Sequence, residues 1–233
     1  MMVQDEVTYT LTAINNSTNS TNICVFQQDP NIGVSNVCSL AWFSKYAYQG
    51  TTVNFSWKLN YNFVWSVTGE LKPGIPFNAT QAPVAGLQNN NQISLDYDPI
   101  HDAYFFTPSS PITAPPSGIL RILETDNIPL KKASVGIGMD GKGTFVVEAQ
   151  PNLTLNFTPH PKYYILAGNF TQGQVLDISE TTAALEVSFD KVYQMTAILN
   201  EDNIWSIKST LEVNKRFLEL RKTNHHVKWG SLY

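Results

Sequence analysis

Charge is scarce in this chain. Of 233 residues, only 15% are Asp, Glu, Lys or Arg, well under the ~25% usual for soluble domains. Basic residues number 15 and acidic residues 19, for a formal net charge of −4. No run of Lys and Arg occurs, which excludes the electrostatic footprint of a nucleic-acid-binding protein. Long apolar runs are also missing: none approaches the ~18 to 20 residues that a membrane helix needs. The amino end, MMVQDEVTYTL, lacks the basic start and continuous apolar core of a secretory leader and carries Asp5 and Glu6. No signal peptide is therefore expected, and the protein either stays inside the cell or has a leader outside this sequence.

Catalytic signatures are lacking as well. There is no G-x-S-x-G, H-E-x-x-H or C-x-x-C, and four histidines leave few candidate general bases. No catalytic residue, cofactor or metal site is nominated, and the expectation is a protein that is not an enzyme. Cysteine is limited to Cys24 and Cys38. A bridge between them would close a short loop, worth roughly 3 kcal/mol in the chain-entropy model. A compartment that keeps thiols reduced would leave both free, and pairing between molecules would lock an assembly.

What the chain does have is strand pattern. VTYTLTAI, from Val7 to Ile14, sets Val7, Tyr9, Leu11 and Ala13 against Thr8, Thr10 and Thr12, the period of two of a half-buried strand. ICVFQ, LAWFSKY, TTVNFSW, NFVWSVTG, ISLDY and AYFF follow, and then, after TPSSPITAPPSG, a further run of short strands from GILRILE to IWSIK. Turns separate them at short intervals, which predicts an all-β sandwich or barrel-like architecture. The four prolines between Thr107 and Gly118 mark a linker. The expected organisation is an N-terminal β unit over 1–107 and a C-terminal β unit over 118–233. At the end, Ser209 and Glu212 fit a capping box, and Val213, Phe217 and Leu220 share one face of a helix of about three turns.

The wording repeats. Gly50–Val64 and Asn152–Leu166 align at a constant offset, with Thr52/Thr154, Asn54/Asn156, Phe55/Phe157 and Tyr61/Tyr163 identical. The match predicts a duplicated supersecondary unit, so the antiparallel sandwich is read as duplicated. The recurring rings are read as core, with a sugar-stacking platform as the sharper alternative.

Other clusters have plain explanations. Gly136, Gly138, Gly141 and Gly143 match G-x-G-x-x-G, but strand-like GTFVVEAQ follows where a nucleotide site needs a helix. A glycine-rich β-turn is expected. Asp96, Asp98, His101 and Asp102 have oxygen and imidazole ligands, yet Pro99 fits a turn that Asp caps unaided. His225 and His226 sit in the C-terminal tail. Eight Asn-X-Ser/Thr sequons, at Asn15, Asn16, Asn19, Asn54, Asn78, Asn152, Asn156 and Asn169, suit either glycosylation or the Asn-rich composition.

Whole strands carry a resemblance. VNFSWKLNYNFVWSVTGELKPG, KKASVGIGMDGKGTFVVEAQPN, NFTPHPKYYILAGNFTQGQVLDIS and TAILNEDNIWSI resemble the RhiA-like bacterial proteins, known mainly as abundant products under quorum-sensing control. The resemblance runs from about Tyr9 to the helix near Phe217. A fungal relative of that family builds protein crystals in vacuoles used for gravity sensing. The resemblance therefore implies self-assembly, with vacuolar location on the fungal pattern and bacterial cytoplasm or the exterior otherwise. Chemistry nominates Cys24 and Cys38 for intermolecular disulfides. The leading expectation is a non-enzymatic structural protein whose partner is itself. The alternative is a secreted sandwich that binds carbohydrate or a membrane surface through Trp42, Trp57 or Trp65.

Overall fold

The computed structural model describes residues 7–29, 31–109, 113–177 and 179–216. Its strands are β1 (Thr8–Asn15), β2 (Thr21–Gln28), β3 (Cys38–Ser39), β4 (Phe43–Ala47), β5 (Thr52–Lys58), β6 (Tyr61–Ser66), β7 (Val84–Ala85), β8 (Gln92–Asp98) and β9 (Ala103–Pro108). They continue as β10 (Leu120–Glu124), β11 (Ser134–Met139), β12 (Lys142–Glu148), β13 (Thr154–Phe157), β14 (Lys162–Gly168), β15 (Leu185–Val187), β16 (Gln194–Leu199) and β17 (Trp205–Ser209). The all-β expectation holds, and a short C-terminal helix starts at Thr210. Ser209 and Glu212 form the capping box: the Glu212 amide donates to Ser209 Oγ at 3.3 Å, and the Ser209 amide donates to Glu212 Oε2 at 3.2 Å. Phe217, Leu220, His225 and His226 lie outside the described residues.

The chain forms two compact units. The smaller takes Met1–Thr21, Tyr46–Ser56 and Phe189–Tyr233, and the larger takes Asn22–Lys45 and Trp57–Ser188. Each unit thus draws on both sides of the proline-rich 107–118 segment. In the smaller unit the sheet order is β17-β16-β1-β5. β1 runs parallel to β16, with Leu11 beside Met195 and Ala13 beside Ala197. Alternation in β1 buries Leu11, Ala13 and Asn15 and leaves the threonines nearer the surface, as period two requires.

In the larger unit a five-stranded sheet, β3-β12-β11-β6-β7, packs against a four-stranded one, β13-β10-β8-β9. They share a core that includes Phe63, Trp65, Leu95, Ile122, Ile137, Phe145 and Phe157. Burial of that many large side chains is the main favourable term in holding the sheets together. The other face of the five-stranded sheet is covered too, where Val64 and Val146 join Leu40, Phe77 and Val175. β11, enclosed on both faces, has all six residues buried.

The glycine motif resolves as the expected turn. β11 and β12 pair as a hairpin, and Asp140 and Gly141 both take positive φ, 54° and 76°, the backbone of a two-residue hairpin turn. Gly136 and Gly138 serve another purpose. A Cβ on Gly136 would lie 2.0 Å from the Phe145 carbonyl oxygen, and one on Gly138 would lie 2.2 Å from that of Lys142. A register shift falls between Ile137 and Gly138, so the backbones approach more closely than any side chain permits.

The two copies of the repeated phrase lie in different sheets, β5 beside β1 and β13 beside β10. Phe55 in β5 and Phe157 in β13 are both sealed in the interior, and each copy continues into a second strand, β6 or β14. Replacing Gly136 with Ala must push the hairpin strands apart. We expect a loss of ~3 kcal/mol in denaturant unfolding. A loss below ~1 kcal/mol would contradict the close approach.

Candidate functional site

In the smaller unit, a buried asparagine anchors a turn beside an exposed pair of rings. Asn15 is fully enclosed. Its side-chain amide donates to the carbonyls of Asn19 at 2.9 Å, Ala47 at 3.1 Å and Tyr48 at 3.4 Å. Its side-chain oxygen accepts from Ser17 Oγ at 2.6 Å and from the Ser17 amide at 3.1 Å. Its backbone joins in: the Gly50 amide donates to Asn15 O at 2.7 Å, and the Asn15 amide donates to Thr51 O at 2.9 Å. One side chain therefore pins the 47–51 turn, and full satisfaction of a buried amide makes that turn rigid. Two rings stand at its start, one from the end of β4 and one from the turn itself. Tyr46 and Tyr48, 53% and 66% exposed, meet edge-to-face with centroids 5.1 Å apart. Such pre-ordered aromatic area loses little entropy when another surface covers it.

The tryptophans nominated for a surface platform are internal. Trp42, Trp57 and Trp65 are all buried. Trp42 donates through Nε1 to the Met139 carbonyl at 3.0 Å and packs on Trp57 at 5.2 Å and Tyr163 at 6.0 Å. Trp65 donates to Gln81 Oε1 at 2.7 Å. Bulk explains the difference, because large rings in alternating strands are the cheapest material for a core. The sequons divide: Asn15 is enclosed, Asn54 Oδ1 accepts from Thr12 Oγ1 at 2.8 Å, and Asn156 Oδ1 accepts from Arg121 Nε at 2.7 Å.

The larger unit holds a groove of about 710 Å³. Asn36, Glu148, Gln150, Thr154 and Asn156 line it together with Val34, Leu153 and Leu155. The residues leading into its wall at Gly33 are tied down: Asn31 O accepts from Thr158 Oγ1 at 2.8 Å, and Ile32 O accepts from the Thr158 amide at 2.8 Å. Glu148 accepts from the Leu71 amide at 3.3 Å. The lining offers amides and hydroxyls with a single carboxylate, which suits a neutral polar ligand.

Both cysteines are free thiols in this structure. Cys24, in the middle of β2, is fully enclosed, and burial pushes its pKa up to about 12. Cys38 is half-buried beside the groove. Burial first, and then the Glu148 carboxylate, raise its pKa. Thiolate is the reactive form, so both are poor partners for exchange, and Cys24 is also out of reach.

The acidic turn is a hairpin closure between β8 and β9, with Asp98 opposite Ala103. Asp98 binds His101 Nδ1 at 2.5 Å and accepts from the Ile100 amide at 2.8 Å, while Tyr97 Oη donates to Asp102 at 2.7 Å. Asp96 accepts from Thr107 Oγ1 at 2.5 Å. These groups are occupied with one another. Among the described residues no group of three or more His, Cys, Asp or Glu is placed to hold a metal ion, and no helix is long and apolar enough to cross a membrane.

Glu124 went unnoticed in the sequence. It follows Leu120 and Ile122 on the inward face of β10, and that phase was the available signal. Oε1 accepts from the Gln150 amide at 3.0 Å, while Oε2 is buried without a partner among the described residues. Burial, only partly offset by the Gln150 bond, lifts its pKa from 4.5 to about 8. The folded state therefore holds the proton more tightly than the unfolded chain. Unfolding releases it between pH 4.5 and 8, so this group's stabilisation is full below 4.5 and falls as pH rises to about 8. The slope is at most ~1.4 kcal/mol per pH unit. Chemical denaturation of the parent and of Glu124→Gln across about pH 5 to 8 should give curves that start close together and diverge, with the parent falling below the variant as pH rises. Parallel curves would contradict the buried-acid assignment.

Comparison with known proteins places these features in a family context. The RhiA family model matches residues 6–210. Protein RhiA of Rhizobium leguminosarum bv. viciae is 40% identical over 203 residues, which span 85% of each chain. No solved structure matches.

Proposed function

The chain belongs to the RhiA family, and we propose that it is a non-enzymatic structural protein that associates with further copies of itself. One observation carries this reading: the Tyr46–Tyr48 pair, held outward on a turn that Asn15 pins. Exposed tyrosines on a rigid support are typical anchors of protein–protein contact. The low charge supports the same reading, since copies with few like charges repel each other weakly.

Contact is non-covalent in this account, because Cys24 is enclosed and Cys38 is held protonated. The ordered form of such an assembly is a crystal-like array. A vacuolar setting and a role in gravity sensing belong to that form only as the fungal relative's pattern extended to this chain. A second reading, binding of a neutral carbohydrate, is favoured by the amides and hydroxyls of Asn36, Gln150, Thr154 and Asn156 in the groove of the larger unit.

Sedimentation velocity over a concentration series separates the two. The parent chain should show a mass that grows with concentration, equally with and without reductant. Tyr46→Ser combined with Tyr48→Ser should raise the concentration at which association sets in by ~30-fold or more, given at least ~2 kcal/mol for the aromatic pair. Association lost on adding reductant would instead assign the contact to a disulfide. A monomer at every concentration, with saturable binding on a glycan array, would favour the second reading.

A further inference from the structure

A second cavity in the larger unit, of about 490 Å³, differs in chemistry from the groove. Ile32, Val34, Val37, Phe145 and Leu176 give it an apolar lining, with Phe145 and Leu176 contributed by the buried core. The volume lies in the range of small-molecule sites. Two charged side chains reach it, Asp29 and Lys162, and they are in opposite states. Asp29 is largely buried and already satisfied: Oδ1 accepts from the Asn31 amide at 3.1 Å, and Oδ2 accepts from the His160 amide at 2.5 Å. Lys162, the first residue of β14, is exposed, and no described carboxylate pairs with its ammonium. Near it, Gln28 Nε2 donates to Thr181 Oγ1 at 3.4 Å, while Tyr164 Oη is taken up by Glu186 at 3.3 Å. The cavity therefore offers an apolar body of space and one uncommitted cation at its edge.

We infer that this cavity binds an amphiphilic anion, with an apolar body on Val34, Val37, Phe145 and Leu176 and a carboxylate or similar head at Lys162. The apolar walls supply most of the affinity by removing ligand surface from water, and the ammonium fixes the orientation of the head and selects its charge. A cationic amphiphile of the same length gains the walls but meets Lys162 as a like charge. This site shares no residue with the tyrosine pair, so it stands or falls independently of self-association.

Titration calorimetry on the full chain with octanoate, octanol and octylamine provides the test. Octanoate is expected to bind saturably, octanol more weakly, and octylamine more weakly still. Lys162→Glu changes an exposed residue and should leave folding intact by circular dichroism. It should weaken octanoate by ~10-fold or more and reverse the preference between octanoate and octylamine. Val37→Trp, on the cavity's less buried side, should reduce binding of all three by filling the space. The proposal is overturned if octanoate binds the Lys162→Glu variant as tightly as the parent, if octylamine equals octanoate on the parent, or if no probe binds saturably.

Discussion

The larger unit is organised around the end of one hairpin. Met139, the last residue of β11, is fully enclosed, and three buried side chains from distant parts of the chain converge on it. Trp42 donates to its carbonyl, and Gln27 and Tyr163 each place a donor 3.6 Å from its sulfur. Trp57 packs on both Trp42 and Tyr163, so Trp57, from the first copy of the repeated phrase, and Tyr163, from the second, meet in one cluster. Aromatic rings arranged edge-on or tilted add to the burial term, and sulfur accepts such neighbours readily. The glycines of the same strand let the two backbones close up behind it.

That constraint decides what remains for the surface. With Trp42, Trp57, Trp65, Phe55 and Phe157 all inside, the recurring rings cannot serve as a binding platform. The exterior is left to Asn, Thr and Ser, to few charges, and to scattered exposed aliphatic side chains and rings. Exposed Tyr193 meets the less exposed Tyr9, whereas Tyr46 and Tyr48 are both well exposed, meet each other and sit beside a turn that a buried amide fixes.

Much of this was legible in the sequence, and for identifiable reasons. Alternation in β1, the Asp140–Gly141 turn and the Ser209–Glu212 box are local signals, and local chemistry suffices to form them. The recurring Phe55 and Phe157 are legible as core, because alternating bulky rings rarely face water. What escaped depends on residues far apart in the chain. The parallel pairing of β1 with β16 leaves no local mark, since register between distant strands is set by the whole sheet. Asn15 read as one of several sequons in a polar loop, and its role depends on Ala47 and Tyr48 arriving beside it. Glu124 carried a faint signal, being in phase with Leu120 and Ile122. Cys24 read as a candidate cross-link because a sequence does not reveal that β2 is covered on both faces.

The central claim is that copies meet through the turn bearing Tyr46 and Tyr48 while the aromatic core stays closed. Amide hydrogen exchange compared at low and high protein concentration tests it most directly. The account predicts slower exchange at high concentration for amides of residues 46–51, with the amides around Met139 slow at both. An unchanged pattern at 46–51, or protection that rises with concentration only elsewhere, would contradict it.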